Sequence, residues 1–580
     1  MDPLTPNLIR LLHIGRGTEQ EICCRLSQAD LNFKPVYEAL SYVWGASDKS
    51  RKIYCDEKEL QITQNLYEAL QQLRLPDRER VIWIDALCIN QNDIPERSAQ
   101  VRIMSRIYAQ AHHVFVWLGK DSETDTLAYE MLQRFKRAFS KDSTYEYNIN
   151  TNTETQTLPT AFNPDWTALV KLFQRAWFSR VWVIQEVVKA KEVSVAFGPM
   201  SESWELIVKV SRACQKTGYM GSYTIKDDAP GSQSAIIIDL LKLPKQEITL
   251  MELLRLTRHY NASDKRDKVF ALMGIATDGD DTGVTIDYTL TVEEIFQSLA
   301  VHSLVEKKSL ACLSSAGLSS VYPNSEMLTL PSWVPDWTHD NDRVSALGIC
   351  SGFSAGGSTT PIVKISSDKT TLDISGYLID TISLMSYGVH EDEGPKVNPL
   401  NETNQEKRML RWKRALENCD KMIAEAFSHP AGQDSEEALW QTVCCGLSPS
   451  GARAPETYRD AFKVWRVAFR ATDDKGKTNM HKQFFAKDVA DSREFGNAVV
   501  MFALGRKFCI TDKGYMGRVP NRSRKGDRIC VLKGGRVPFV IRGTANGQYQ
   551  LVGECYIHGI MKGEVLEQKD IGTLEDIKII

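Results

Sequence analysis

Between Ala39 and Leu118 short apolar runs alternate with stretches of helical period, and that alternation leaves few folds open. Ala39 to Val43 reads as a strand ending at Trp44-Gly45. A helix begins near Thr63, with Leu66, Leu70 and Leu73 on one face, and Val81 to Ile84 is a short buried strand. Beyond Pro95, Val101, Met104, Ile107, Tyr108 and Ala111 recur at helical spacing before Val114 to Leu118 returns as strand. Strands separated by helices pair in parallel, because a crossover long enough to hold a helix returns the chain to the same end of the sheet. Two hairpins flank this core: Ile9 to Ile14 with Glu21 to Leu26, and Lys52 to Cys55 with Glu59 to Ile62.

A chain of 580 residues is expected to fold as roughly three or four units. Hydrophobic residues at 42% and charged residues at 25% support a large core and argue against wholesale disorder. The net charge of -3 gives no overall field for nucleic acid or acidic lipid. No apolar run approaches the ~20 residues of a membrane span, and Met1 to Pro6 lacks a secretory pattern, so cytoplasmic residence is expected. The 13 cysteines are scattered, without Cys-x-x-Cys spacing, which speaks against a zinc site or a disulfide framework. No metal is implied.

Ser140 to Pro159 reads as a surface loop, Asp165 to Arg175 and Trp177 to Lys189 as helices, and Val193 to Phe197 as a strand. The expected units are residues 1–200, an α/β domain; 201–345, mainly helical; 346–500, mixed, with a charged helical insertion; and 501–580, a small antiparallel β-barrel or sandwich. Strands at Ile362 to Ile365 and Leu372 to Ile382 are candidates to complete that last sheet, and a helix is expected from Ala498 to Arg506.

Three islands carry candidate chemistry: Tyr37 to Gly45, Trp83 to Gln91 and Trp177 to Val187. In open parallel sheets ligands bind beyond the carboxyl ends of the strands, which is where Ser41, Tyr42, Trp44, Gly45, Asp85, Asn90 and Gln91 fall. Taken singly, these read equally well as a turn at Trp44-Gly45 and a helix cap at Asp85. In the third island a continuous helix places Trp177, Val181, Ile184 and Val188 on an apolar stripe, with Glu186 almost opposite, where a solvated carboxylate is the ordinary reading. Phe178 and Trp182 share that opposite face, so it is expected to cover a second layer or a ligand. Cys88 with His112 or His113 forms a weaker thiol-imidazole candidate. The basic run Arg522 to Lys525 reads as a solvated loop.

These islands, in this order, resemble the heterokaryon incompatibility (HET) domain of filamentous fungi, and Arg266 to Gly274 and Leu330 to Trp337 match segments that often follow it. HET domains are similar at a distance to Toll/interleukin-1 receptor (TIR) domains, flavodoxin-like α/β modules that either cleave NAD or serve as self-assembling adaptors. Ala39 to Tyr42 looks like the first TIR strand, and Ser179 to Val187 looks like the TIR helix in which a Trp precedes the Glu of NAD-cleaving members. The resemblance implies Glu186 as catalytic carboxylate, with Ser41, Tyr42, Trp44, Gly45, Asp85, Asn90, Gln91, Arg180 and Trp182 as substrate-binding candidates. It implies NAD as substrate rather than cofactor, self-association through the domain and a protein partner in incompatibility signalling. The alternative is a non-catalytic adaptor that uses the same aromatic surface to recruit partners. The amino-terminal hairpins and the loop after Asp85 depart from the TIR pattern.

Overall fold

The computed structural model describes residues 4–18, 21–45, 49–120, 123–141, 165–217, 230–243, 247–318, 328–338, 345–386, 404–426, 434–470, 486–503, 505–567 and 573–580. Most of the expected 140–159 loop falls outside them. The chain divides into two compact units, Met1–Thr291 and Val292–Ile580.

The first unit is built on one mixed sheet. Strands β1 (Leu8–Ile14) and β2 (Cys23–Asp30) form the first hairpin, in register from Leu8 opposite Asp30 to Ile14 opposite Cys24. Strand β3 is Glu38–Tyr42, and β4 (Arg51–Cys55) with β5 (Lys58–Ile62) is the second hairpin. Helix α1 (Gln64–Leu73) follows, with the Thr63 side chain capping it through Leu66 N. After β6 (Arg80–Trp83), a single turn α2 (Asp85–Cys88) leads to α3 (Ile94–Gln110), which carries Asp93 as cap and proline in its first turn. Strand β7 (Val114–Trp117), helices α4 (Asp125–Lys141), α5 (Asp165–Phe173) and α6 (Trp182–Lys189), and strands β8 (Val193–Phe197) and β9 (Met200–Ser203) complete the sheet.

The sheet order is β5-β4-β2-β1-β6-β3-β7-β8-β9. Its parallel centre is β6-β3-β7-β8, which is the doubly wound order 2-1-3-4 in chain sequence. The alternation in the sequence produced this centre. The hairpin strand β1 pairs antiparallel with β6 and makes the whole sheet mixed rather than purely parallel. Helices α7 (Trp204–Thr217), α8 (Pro230–Lys242), α9 (Leu250–Leu256) and α10 (Asp267–Met273) belong to this unit.

The third island is not one helix. A short 3-10 turn, Ala176–Ser179, is followed by Arg180 in extended conformation (φ -78, ψ 134) before α6 starts. The interruption has a cause: Val181 N donates to Asn261 O at 2.9 Å and Asn261 N to Ser179 O at 2.5 Å, so strand-like pairing with a distant segment displaces helical bonds. A helical wheel drawn through Trp177 to Val188 therefore misassigns faces. Helix α6 is enclosed by α3, α8 and α10, and Val183 through Val187 are all buried.

The second unit includes helices α11 (Val292–Val305), α12 (Asn404–Ala426), α13 (Ser435–Val443), α14 (Tyr458–Arg470) and α15 (Ala486–Phe502). Helix α15 ends four residues short of the expected limit because Arg506 opens a strand. The long β11 (Leu372–Met385) organises the β portion, with β10 (Val363–Ile365) paired to its start. The remaining strands are β12 (Arg506–Thr511), β13 (Met516–Pro520), β14 (Arg528–Leu532), β15 (Phe539–Gly543), β16 (Tyr549–Glu554), β17 (Tyr556–Ile557) and β18 (Glu575–Ile579). The path β14-β15-β16-β18-β11 returns to β14, closing a ring, while β12, β13 and β17 extend it from β11. Register shifts at Leu378/Asp380 and Ile382/Leu384 let one strand serve both parts, since bulges bend and twist a strand. Ile379, Ile529, Val531, Val540 and Val552 fill the core.

Gly274, at the end of the Arg266 to Gly274 segment, tests how tightly α6 is clasped. A Cβ there would lie 2.4 Å from Gln185 Oε1 and 2.6 Å from Ser105 Cβ. Gly274→Ala is expected to lower stability by about 1–3 kcal/mol, the usual cost of overpacking, measured by urea denaturation; an unchanged midpoint would show that Gln185 and Ser105 yield freely.

Candidate functional site

The three islands meet at the carboxyl end of β3. Ser41, on that strand, donates its hydroxyl hydrogen to Glu186 Oε2, while Trp177 Nε1 donates to Ser41 Oγ at 2.8 Å. The guanidinium of Arg180, freed from the helix by the extended backbone, donates to the Tyr42 carbonyl. Trp44 Nε1 reaches Asp85 Oδ2 at 2.9 Å, so the first island is tied to the second as well as to the third. Asp85 Oδ1 accepts from Ala86 N at 2.7 Å, and the Gln91 side chain donates to the Asp85 carbonyl at 3.0 Å. Asp85 opens the short turn without being its cap.

Glu186 is 4% exposed, which corrects the solvated position that the helical wheel gives it. Removal from water disfavours the ionised carboxyl and lifts its pKa from 4.5 to about 7; Arg180 and the Ser41 hydrogen bond pull it down, and Asp85 pushes it further up. Burial likewise raises Asp85, with Arg180 and the Trp44 bond opposing. The Tyr42 phenol is raised well above its usual value by burial, and then by the Asp85 charge. One arginine thus offsets the effect of burial at two acids.

Two candidates fall elsewhere. Trp182, at the start of α6, donates Nε1 to Asp267 Oδ2 at 3.0 Å, and Tyr288 donates to the other Asp267 oxygen at 2.6 Å. Burial raises Asp267 to about 6. Asn90 sits by a different buried pair: its backbone N donates to Glu96 Oε1 at 2.7 Å, and Arg10 clasps Glu96 at 2.6 and 2.9 Å while also donating to the Cys88 carbonyl. The Cys88 thiol is fully buried and pushed up to about 12 by desolvation. His112 instead contacts the Tyr37 carbonyl and His113 the Ser194 hydroxyl, so the thiol-imidazole arrangement is absent.

A cavity of about 480 Å³ opens beyond the ends of β3 and β7, the pair at which the order of the parallel strands reverses. Of the sequence candidates it includes Gly45, whose positive φ of 78 makes the turn out of β3. Asn65, Glu68, Lys120 and Arg175 also line it, and none was singled out in the sequence. Asn65 joins the strand ends, donating to the Val43 carbonyl at 2.6 Å and accepting from Trp117 Nε1 at 2.9 Å. Arg175 donates to the Gly119 carbonyl at 2.8 Å and pairs with Asp125. Lys120 is exposed, without a partner among the described residues. These residues come from three separate segments, so only the preference for polar side chains after strands hinted at them.

Comparison with known proteins gives a consistent result. Residues 37–186 match the family described as heterokaryon incompatibility protein (HET), a span that opens at Tyr37 and closes at Glu186. Residues 450–572 match the Het-6 beta-barrel domain. The whole chain aligns with heterokaryon incompatibility protein 6, OR allele, of Neurospora crassa at 25% identity, covering 96% of that protein. No solved structure matches. Among the described residues no helix is long and apolar enough to cross a membrane.

The raised Glu186 pKa has a thermodynamic signature. The folded chain holds this proton up to about pH 7 and the unfolded chain releases it near 4.5, so the favourable contribution is complete below pH 4.5 and is lost as pH rises to about 7. Above that, the carboxylate costs about 3 kcal/mol relative to a group with no shift. Glu186→Gln is therefore expected to gain stability relative to the parent chain between pH 5 and 8, in denaturation at a series of pH values; parallel curves would mean that Glu186 titrates normally.

Proposed function

The chain is a HET-domain protein carrying a Het-6 barrel, and from that premise we propose that it acts in the cytoplasm in fungal non-self recognition and programmed cell death, through an α/β unit that hydrolyses NAD once it self-associates. The observation that carries this reading is the Glu186 carboxyl, pushed to about 7 inside a polar cluster at the end of the first parallel strand. Perturbed carboxyls at strand ends are a feature of catalytic centres. The distant resemblance to NAD-cleaving TIR domains selects the same residue.

The chemistry asks little of the protein. Water hydrolyses NAD to ADP-ribose, nicotinamide and a proton. The glycosidic carbon–nitrogen bond breaks with its electron pair passing to the pyridinium nitrogen, so nicotinamide leaves neutral without a general acid. Positive charge develops on the ribose, where a carboxylate stabilises it, as in glycoside hydrolysis. Water then adds to the sugar carbon and loses its proton. Glu186 would serve as that carboxylate, Arg180 and Asp85 would adjust its charge, and the cavity floored by Gly45 and flanked by Lys120 and Arg175 would receive the dinucleotide.

Glu186 is covered in this form, hydrogen-bonded to Ser41. Catalysis on this reading requires that contact to open, which gives self-association a defined task. The same burial favours a second reading, a non-catalytic adaptor. Exposed apolar side chains at Phe33 (85%) and Val36 (80%) before β3 and Trp44 (41%) after it would supply its recognition surfaces.

The two readings separate in one assay: loss of NAD over time with the full-length chain, alone and with forced dimerisation, beside Glu186→Gln. The enzymatic reading expects turnover in the dimerised parent, rising with pH through about 7 as the carboxyl ionises, and falling at least ~100-fold in the variant. Absence of turnover in every folded, dimerised preparation selects the adaptor.

A further inference from the structure

The second unit carries a cavity of about 500 Å³ at one end of the strand ring, where β14 begins, β15 ends and β16 begins. Arg524, Lys525, Arg528 and Arg542 line it, with Asp527 as its only carboxylate. That is four cations against one anion in a chain whose net charge is -3, so the positive excess is local to this place.

Asp527 leaves little of its charge for the cavity. It is buried, and its carboxylate is occupied by Arg542 Nε at 2.8 Å, Arg542 Nη2 at 2.9 Å and the Arg524 backbone N at 2.7 Å. Arg542 Nη2 also donates to the Arg522 carbonyl at 2.7 Å. This fork holds the Arg542 guanidinium in one orientation, and Nη1 makes no hydrogen bond among the described residues. The side chains of Arg524, Lys525 and Arg528 have neither hydrogen bonds nor ion pairs among the described residues. Structural cations are ordinarily paired where several converge, because like charges repel. Here three stay unpaired beside a fourth that is already positioned.

The remaining lining favours a compact ligand. Added Cβ atoms at Gly526, Gly543 and Gly547 would meet nothing within 4 Å, so the loops leave room over the cations. The volume suits a small molecule, falling within the roughly 300–1,000 Å³ of ligand pockets. A guanidinium held in place among unpaired cations suits phosphate oxygens, with the planar forks of Arg524 and Arg528 and the point charge of Lys525 left to engage them.

We propose that the end of the strand ring formed by residues 522–528 and 542–549 is a binding site for a small ligand bearing two or more phosphate groups. Such a ligand neutralises Arg524, Lys525 and Arg528 together while Arg542 fixes its orientation. An acidic peptide would need a longer groove and would spread its charge over several residues, which makes it the less suitable occupant. The site lies within the span that matches the Het-6 barrel, outside the HET match, and does not depend on the NAD reading.

The test uses the full-length chain and inorganic tripolyphosphate as probe, by isothermal titration calorimetry at two salt concentrations without added metal. The expected result is saturable binding that weakens with salt, as charge neutralisation requires, and falls at least ~10-fold in Lys525→Ala/Arg528→Ala. Both positions are spared the buried Asp527 pairing, so the variant should keep the parent's circular dichroism and denaturation midpoint. Hydrogen exchange with the probe present should slow across 522–528 and 542–549. Absence of binding at low salt, equal binding by a folded double variant, protection elsewhere, or tighter binding of an octaglutamate peptide than of tripolyphosphate would each overturn the proposal. If the double variant does not fold, Lys525→Gln alone, with the exchange footprint of the parent chain, decides it.

Discussion

A carboxyl group buried against a strand needs a donor, and at Glu186 that donor is Ser41. The pairing constrains much of the first unit. It ties α6 to β3, and Trp177, bonded to the same hydroxyl, brings the preceding 3-10 turn into the arrangement. Losing the donor would leave an acceptor in a site that water does not reach, a penalty of about 1–3 kcal/mol for a neutral group and more for an ionised one. The same enclosure that makes the hydrogen bond necessary also lifts the pKa. Position, burial and acidity at Glu186 are thus one consequence of packing α6 between the sheet and further helices.

The parallel centre of the fold was legible because strands buried on both faces and helices buried on one leave different periods. Ala39 to Val43, Val81 to Ile84 and Val114 to Leu118 are short continuous apolar runs, and the helices between them repeat at three and four residues. Sheet order is not a local property. The antiparallel junction of β1 with β6 pairs Leu12 with Ile82 across seventy residues, and no local pattern fixes it. The same holds for the strand ring, where turn signals located the last hairpins but Ser375 meets Asp576 only through tertiary pairing.

The site was legible in its parts and not in its assembly. Ser41, Trp44 and Asp85 were marked by residue type at strand ends and Glu186 by the resemblance to the TIR helix, whereas Asn65 and Arg175 lie in helical and loop contexts that give polar residues no special weight. Trp182 shows the opposite error. An aromatic one turn before Glu186 invited a role with ligand, but its indole N–H is committed to Asp267, whose other oxygen holds Tyr288. The wheel failed at Arg180 for a related reason: a single extended residue, stabilised by Asn261, rotates everything after it relative to everything before.

Arg180 and Trp182 divide the surroundings of α6 between two acids. Toward β3, Arg180 lowers the pKa of Glu186 and Asp85 from what burial alone would set, without forming a short ion pair with either. On the other contact, Trp182 and Tyr288 give Asp267 neutral donors, and burial still raises it to about 6. Burial thus raises both carboxyls, Glu186 on α6 and Asp267 on α10, which packs against it. Ionising either one places a charge where burial disfavours it, among contacts made by α6. A helix of eight residues has few internal hydrogen bonds to hold it against such a change. The Ser41–Glu186 contact is consequently where proton uptake and the seating of α6 against β3 meet.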